Sequence, residues 1–330
     1  MSDSSRRTFL TAMAAGLGSQ AALAGPQNSG APTPPSKPRN FSMKLGVHMT
    51  NWQPLWRNGT VTWEDIARIN SELGFHGIEL QADNVQGLDQ AGLKRIKTAM
   101  SSAGLRINAI NIGNNFLDAD FDAQVKMVQD FADLCNYFEA PFERIYLGRK
   151  PPEMSDTKAF DLVRKGLETC LPTWERLGIA AAPEPPDVYR FRPVSPGSSQ
   201  YVVDVLPKQF PAGDITGIVA LLKVIDSKHF RYTLDSGCIP PDEKYIWPHL
   251  LAPYTVNMHI KEWQFNWRTG DPTEIDYVRY LQPFKESGYD GFLDLELRDP
   301  VRGGFDLGTV DEVRAKLTRM KTYLERCIAA

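Results

Sequence analysis

The sequence is poor in the residues that build disulfide scaffolds and zinc fingers. Only four of its 330 residues are cysteine and only five are histidine. No two cysteines form a C-x-x-C pair, which argues against both a disulfide framework and a structural zinc site. The core must therefore be held together by the burial of apolar side chains.

An excess of charge and a phosphate-binding loop are also missing. The chain has 37 Lys and Arg against 40 Asp and Glu, a formal net charge of −3. Nucleic-acid-binding surfaces usually carry a basic excess, so we expect no nucleic-acid partner. A dinucleotide-binding sheet would carry a glycine-rich loop after its first strand, where this chain has Val47 to Trp52, VHMTNW.

The N-terminus resembles a bacterial twin-arginine export signal. The pair Arg6-Arg7 precedes a mildly apolar run, and residues 22–24, Ala-Leu-Ala, form a small-x-small cleavage site. The run from 9 to 24 is shorter than the ~20 residues that span a membrane, so we predict no stable anchor. We expect residues 1–24 to be a signal peptide and the protein to be periplasmic or secreted. The alternative is a disordered, weakly hydrophobic tail.

Residues 25–40 are rich in Pro, Ser, Gly and Asn, which predicts a flexible linker. From residue 41 to 330, short apolar runs alternate with segments of helical periodicity, such as the one that begins after Thr62. Eight alternating units predict an α/β fold, a single (β/α)8 TIM barrel. The predicted strands are Met43–Val47, Gly77–Leu80, Leu105–Ile110, Arg144–Leu147, Ile179–Pro183, Arg231–Leu234, Thr255–Ile260 and Phe292–Leu295.

Four consecutive predicted strands each deliver one ionisable side chain to their carboxyl ends, where barrels hold their active sites. These are Glu184, Asp235, His259 and Glu296. Three carboxylates and one imidazole suit one divalent metal ion, with Mn²⁺ expected first and Mg²⁺, Co²⁺ or Zn²⁺ as alternatives. The competing interpretation is that they are unrelated solvated residues at strand ends.

Five short motifs follow one another along the chain. They are Leu73–Leu80, Pro183–Pro185, Leu234–Gly237, Met258–Glu262 and Gly291–Glu296. In order and spacing they resemble the xylose isomerase-like barrels of the sugar phosphate isomerase/epimerase superfamily, and the resemblance extends from Lys44 to the C-terminus. It implies that the four strand-end residues bind one divalent metal. It also implies that Glu184 and Glu296 flank the substrate carbon whose proton is moved.

The resemblance predicts a metal-dependent sugar isomerase or epimerase. Proton removal beside a carbonyl forms an enediolate, whose negative oxygen a divalent cation stabilises. Glu184 and Glu296 would be the catalytic base and acid, with Asp235 and His259 mainly metal ligands. One alternative is a metal-dependent lyase that eliminates the aglycone of a keto-sugar glycoside; another is a non-catalytic sugar-binding barrel. A related endonuclease activity fits poorly, because those sites are rich in histidine.

Five further residues are predicted to contact the carbohydrate. Lys261 and Arg298 each follow a proposed ligand by two residues, so strand alternation directs them to the same side. His48 and Glu79 end strands one and two, and Trp263 can stack on a sugar ring. The alternatives are salt bridges at the rim for the two cations, a hydrogen-bonding role for Glu79 and core packing for Trp263.

Two features depart from the family pattern. Cys238 stands where relatives often carry a substrate- or metal-contacting histidine, so it is either a soft contact or a small buried residue. The segment from 185 to 230 is unusually long, and it can be either a lid over the site or a surface excursion. The sequence determines neither the substrate nor the oligomeric state, and a homo-oligomer is one of the states it allows.

Overall fold

The computed structural model describes residues 43–186, 211, 213–262, 272, 275–299 and 304–330, together with the backbone of 189–193 and 201–205. Within these ranges the strands are β1 Lys44–His48, β2 Gly77–Gln81, β3 Arg106–Asn111, β4 Phe142–Arg144, β5 Ala180–Ala181, β6 Tyr189–Pro193, β7 Tyr201–Val205, β8 Tyr232–Asp235, β9 Thr255–Ile260 and β10 Phe292–Leu295. The α-helices are α1 Gln53–Arg57, α2 Trp63–Glu72, α3 Ala82–Val85, α4 Gln90–Ser102, α5 Phe121–Phe138, α6 Asp156–Leu177, α7 Ile215–Ile225, α8 Ile246–Leu251, α9 Tyr277–Ser287 and α10 Val310–Ala329.

Eight of these strands form one parallel sheet in the order β5-β4-β3-β2-β1-β10-β9-β8. The two ends of this sheet meet: the Ala181 amide donates to the His229 carbonyl and the Arg231 amide donates to the Ala181 carbonyl, both at 2.8 Å. Helices alternate with the strands along the chain. The fold is therefore α/β, a single (β/α)8 TIM barrel, and the sequence-based prediction is confirmed.

Local sequence explains how the helices begin and end. Thr62 and Asp65 form a capping box at the start of α2. The Thr62 side chain accepts from the Asp65 amide, and the Asp65 side chain accepts from the Thr62 amide. Gly178 ends α6 in the left-handed conformation, with φ of 68°, which costs glycine nothing. Among the described residues, no helix is both long and apolar enough to cross a membrane.

Two strands differ from the predicted bounds by more than one residue. β4 lies at Phe142–Arg144 instead of Arg144–Leu147, because its pairing with β3 places Arg144 beside Asn111. The buried Ile145 and Leu147, which follow the strand, produced the apolar pattern that displaced the prediction. β5 has only two residues, and proline soon follows, which has no N–H to continue the ladder.

The long segment between β5 and β8 contains a hairpin that the sequence did not indicate, followed by the helix expected of a strand–helix unit. β6 and β7 form an antiparallel hairpin in which Tyr189 pairs with Val205 and Pro193 with Tyr201. α7 follows, and five of its apolar side chains are buried: Ile215, Ile218, Val219, Leu221 and Leu222. All four cysteines lie in the described ranges, are buried and form no disulfide.

Candidate active site

A cavity of about 550 Å³ lies at the carboxyl ends of the barrel strands. This volume is within the ~300–1,000 Å³ typical of small-molecule sites. Seven of the eight barrel strands contribute at least one residue to its lining, at or just after the end of the strand. They include Thr50, Gln81, Asn111, Arg144, Glu184, Lys261 and Glu296. The cavity therefore occupies the position expected for a barrel active site.

The four predicted metal ligands converge beside this cavity. His259 Nδ1 lies 2.7 Å from Glu184 Oε2, 3.5 Å from Glu296 Oε2 and 3.9 Å from Asp235 Oδ2. Ligand atoms of Glu184, Asp235 and His259 all lie within 4.8 Å of one another. The separate strand ends β5, β8, β9 and β10 thus bring the four side chains into one cluster.

The same four atoms have no hydrogen-bond partner. Glu184 Oε2, Asp235 Oδ2, His259 Nδ1 and Glu296 Oε2 are each buried and make no hydrogen bond among the described residues. A buried polar atom without a hydrogen bond costs about 1–3 kcal/mol, and ion pairing with Lys261 offsets this cost for only two of the four, Asp235 Oδ2 and Glu296 Oε2. Carboxylate oxygens and imidazole nitrogens are common ligands of divalent cations. The residues present therefore fit a metal ion.

The outer oxygen of each glutamate is held by an arginine. Arg144 Nη2 lies 2.8 Å from Glu184 Oε1, and the Tyr146 hydroxyl donates to the same oxygen at 3.2 Å. Arg298 Nη2 donates to Glu296 Oε1 at 2.7 Å. Burial opposes the charged form of both glutamates. Even so, Arg144 and His259 lower the pKa of Glu184, and Arg298 and Lys261 lower the pKa of Glu296 well below its usual value.

Lys261 connects the cluster to the cavity wall. Its Nζ lies 2.7 Å from Asp235 Oδ2 and 3.3 Å from Glu296 Oε2, and it donates to Cys238 Sγ at 3.4 Å. Burial raises the pKa of Asp235 even though Lys261 acts against the shift. Gly237 makes this path possible, since a Cβ there would lie 2.8 Å from Lys261 Cγ. Cys238 is thus a buried neighbour of the lysine.

Glu79 supports His259 from behind the cluster. Its Oε2 lies 2.8 Å from His259 Nε2 and accepts from Asn257 Nδ2 at 2.9 Å, while its Oε1 is 3.4 Å from His48 Nε2. A carboxylate on the far nitrogen of a histidine fixes the ring orientation and tautomer, which directs the other nitrogen to a metal. His48, Glu79 and His259 form a second group whose ligand atoms lie within 4.8 Å of one another. In this group Glu79 Oε2 already contacts His259 Nε2 and Asn257 Nδ2.

The structure divides the predicted substrate-binding residues into three groups. Lys261 and Arg298 line the cavity together with the two glutamates. His48 and Glu79 are fully buried and are not among the lining residues, so their assignment to substrate binding stays a prediction. Trp263 lies outside the described residues.

Among the lining residues that sequence reasoning missed, Arg144 and Tyr146 contact the predicted catalytic residue Glu184. The predicted fourth strand began at Arg144, which placed this side chain at the opposite end of the barrel. In the structure Arg144 ends β4, at the rim. A search for polar residues at every strand end would have found Arg144 only if the predicted end of this strand had been Arg144 instead of Leu147.

Comparisons with known proteins agree with this architecture. A family model described as "Xylose isomerase-like TIM barrel" matches residues 67–323. A D-psicose 3-epimerase from Clostridium cellulolyticum H10, solved with D-tagatose, superposes with a TM-score of 0.67 at 12% identity, covering 87% of this chain and 99% of that one.

A 3-keto-D-glucoside 4-epimerase from E. coli gives a TM-score of 0.64 at 15% identity, covering 87% of this chain and 100% of that one. A probable 3-DHS dehydratase from Bacillus anthracis gives 0.59 at 18%, covering 86% and 100%. At these identities the likeness shows the fold alone. No curated protein matches the chain in sequence.

Proposed function

The chain belongs to the xylose isomerase-like TIM barrel family, and from this membership we propose that it is a divalent-metal-dependent isomerase or epimerase acting on a carbohydrate. One observation carries the proposal: four ligand-type atoms without hydrogen bonds, from four strand ends, converge beside one cavity. Structural neighbours that are D-psicose, 3-keto-D-glucoside and L-ribulose epimerases support a carbohydrate substrate.

Glu184, Asp235, His259 and Glu296 would hold the ion. When bound, it would act as a Lewis acid for the oxygen charge that develops when a proton leaves the carbon beside a carbonyl. Mn²⁺ is the first metal to test, followed by Mg²⁺, Co²⁺ and Zn²⁺, because the donor set suits all four.

Glu184 and Glu296 are proposed to move the proton. Arg144 and Arg298 hold one oxygen of each, which keeps the carboxylates ionised and fixes their orientation. The second oxygen of each faces the cluster, and an ionised carboxylate in reach of a substrate C–H can accept its proton. The Lys261 ammonium, which lines the same cavity, can donate to a substrate oxygen.

Two alternatives share this site. A lyase would begin with the same proton removal and then expel an aglycone, and one structural neighbour, a probable dehydratase, is consistent with elimination on this fold. A non-catalytic sugar-binding barrel would have no use for four ligand-type atoms gathered at one point. Metal analysis of the purified protein separates that case: no bound metal and no effect of a chelator would favour it.

The deciding experiment measures the exchange of carbon-bound substrate hydrogen with solvent deuterium. The Mn²⁺-loaded protein is incubated in D₂O with a panel of ketoses, aldoses and 3-keto-glycosides, and deuterium at carbon is measured by NMR and mass spectrometry. Deuterium incorporation with an isomer as product supports the isomerase or epimerase, and release of aglycone supports the lyase. Absence of both across the panel, with metal bound, would overturn the proposal.

We also propose that the enzyme works outside the cytoplasm, since Arg6-Arg7 and the following run resemble an export signal. Replacement of both arginines by lysine is expected to leave the full-length chain in the cytoplasmic fraction of a bacterial host. The unaltered chain should be found, shortened near residue 24, in the periplasmic fraction. A full-length chain in the cytoplasm for both forms would contradict export.

A further inference from the structure

The first barrel strand ends before its neighbour does. The register of β1 with β10 ends at Val47, which lies opposite Leu295. The chain then leaves the sheet in a short 3₁₀ turn, Met49–Asn51. On its other side β10 continues along β9, and the Glu296 amide still donates to the Ile260 carbonyl at 3.1 Å. Buried backbone N–H and C=O groups need partners, so the side of this segment that faces β1 must find them elsewhere.

The side chain of Asn51 supplies these partners. Its Nδ2 donates to the Leu295 carbonyl, and its Oδ1 accepts from the Leu297 amide at 3.0 Å. In a parallel ladder, one residue of the neighbouring strand makes both of these bonds with its own N–H and C=O. Nδ2 also donates to the His48 carbonyl at 3.0 Å, which ties the amide to the end of β1. The Asn51 amide therefore takes the place of one residue of a longer β1.

A second asparagine makes similar bonds at the end of another strand. Asn114 Nδ2 donates to the Tyr146 carbonyl at 2.7 Å, and the Tyr146 amide donates to Asn114 Oδ1 at 2.8 Å. Asn114 follows the end of β3, and Tyr146 follows the end of β4. Both asparagines are 1% exposed. They differ in what they hold, because Asn51 bonds to the residues on both sides of Glu296.

The backbone around Glu296 is thus bonded on both sides. The Ile260 carbonyl holds its amide from β9, and Asn51 holds the two flanking residues from β1. From this backbone the carboxylate reaches the ligand cluster, where its Oε2 lies 3.5 Å from His259 Nδ1. A displacement of about 1 Å in a catalytic group can cost about 10²-fold in rate. The position of this short stretch of β10 therefore matters to the proposed chemistry.

We propose that Asn51 is a positioning residue for Glu296. Its side-chain amide replaces the missing part of β1, holds the peptide groups on both sides of this glutamate and so keeps the carboxylate directed at the cluster. The inference rests on the proposed function, since that function gives Glu296 its part in metal binding and proton transfer. Asn51 is not among the residues that line the cavity, so we expect it to act through Glu296 and not on the substrate.

The first test measures the bond to the Leu297 amide. Hydrogen exchange is followed by NMR in the ¹⁵N-leucine-labelled full chain, loaded with diamagnetic Mg²⁺. Asn51→Ala should make the Leu297 amide exchange at least ten-fold faster. Asn114→Ala is the matched control, because it also removes a buried amide with two backbone bonds, and it should leave this rate within about three-fold. An unchanged rate in Asn51→Ala, or equal acceleration in both variants, would overturn the proposal.

The second test measures the consequence for Glu296. Asn51→Ala should weaken Mn²⁺ binding about ten-fold. At saturating Mn²⁺ it should lower kcat on a sugar that the deuterium-exchange panel identifies as a substrate by about 10–100-fold, while KM changes less than about three-fold. Asn70→Ala is the control for activity. Asn70 is buried in α2 and accepts from Trp52 Nε1 at 3.3 Å, so its loss disturbs the same loop and leaves the Asn51 amide in place.

The Asn70→Ala protein should keep both the Mn²⁺ affinity and kcat. A normal kcat in Asn51→Ala, or equal losses in Asn70→Ala, would overturn the proposal. If Asn51→Ala is not folded by circular dichroism, Asn51→Asp decides. This variant has the same shape and keeps the acceptor for Leu297, but it loses the donors to Leu295 and His48, so Mn²⁺ affinity and kcat should still fall. Normal values of both would contradict the positioning role.

The two proposals can fail separately, because amide exchange and Mn²⁺ binding are measured without turnover. Faster Leu297 exchange and weaker Mn²⁺ binding in Asn51→Ala, with no turnover of any panel sugar by the unaltered protein, would overturn the proposed isomerase and leave the role of Asn51 standing. Turnover by the unaltered protein, with the same kcat in Asn51→Ala, would do the reverse.

Discussion

Two pairs of acidic residues are buried in this barrel, and their pKa values are shifted in opposite directions. Glu184 and Glu296, at the rim, have lowered pKa values. Glu143, on the face of β4 towards α6, and Asp294, inside the barrel, have raised ones, for Asp294 to about 8. Burial acts in the same direction on all four. Depth therefore does not explain the difference.

The partners explain it. Each rim glutamate is paired with an arginine at 2.7–2.8 Å. Glu143 accepts a hydrogen bond from Trp174 Nε1 at 3.0 Å, and Asp294 accepts from Asn108 Nδ2, both neutral donors. A neutral donor stabilises a carboxylate less than a cation does, so burial prevails for these two and raises their pKa values, for Asp294 with the help of the nearby Glu79 charge. The arginines thus favour the charged form of Glu184 and Glu296, where the proposed chemistry needs it.

The largest expected effect comes from the same substitution in both groups. Glu184→Gln and Glu296→Gln should lower turnover by a factor of about 10²–10⁴, the range for loss of a general acid or base. Glu143→Gln replaces an acid with a raised pKa that does not line the cavity, so it should leave turnover unchanged. The deuterium-exchange rate measures the effect, with circular dichroism as the check on folding. Near-normal exchange in either rim variant would remove that glutamate from the mechanism.

Metal binding is expected to distinguish Asp235, a proposed ligand, from Asp294 inside the barrel. Mn²⁺ at a hundred times its Kd should add about 2.7 kcal/mol to the free energy of unfolding and raise the Tm. Asp235→Asn should lose this increase and the bound metal, whereas Asp294→Asn should keep both. Differential scanning fluorimetry and elemental analysis measure the two quantities. An Asp235→Asn protein that still binds Mn²⁺ normally would exclude Asp235 as a ligand.

The fold and the ligand cluster could be predicted from sequence because both follow from local patterns. Strand ends carry the four proposed ligands, and β9 and β10 have the predicted bounds. The charge states could not be predicted, because Glu143 and Glu184 both end apolar stretches and differ only in what other strands bring to them. Arg144 was lost for a similar reason, since long-range pairing with β3 fixes where β4 ends.

A smaller effect is expected behind the cluster. Glu79→Gln should weaken Mn²⁺ binding about 10–100-fold, because the amide holds the His259 tautomer less firmly than the carboxylate does. Glu143→Gln again serves as the matched control and should bind Mn²⁺ normally. Metal competition titrations give the affinities, and ¹⁵N NMR of the His259 ring reports the tautomer. An unchanged affinity in Glu79→Gln would show that the charge of Glu79 is not needed to orient the ring.

The smallest effect is on stability and has opposite signs in the two groups. Glu143 has a pKa raised well above 4.5 by burial, so between its unfolded and native pKa values the folded chain binds one more proton than the unfolded chain. Stability from this residue therefore falls as pH rises, by at most about 1.4 kcal/mol per pH unit. The paired Glu184 has a lowered pKa, and its contribution is instead lost as pH falls.

Glu143→Gln should remove the loss at high pH, so its Tm relative to the unaltered protein should increase steadily from pH 5 to pH 8. Thermal melts in buffers of equal ionic strength measure this difference. A difference that stays constant or shrinks with rising pH would mean that Glu143 is ionised in the folded protein. In that case a neutral donor would be enough to hold a buried charge here, and the contrast between the rim and the rest of the barrel would have to rest on something other than the arginines.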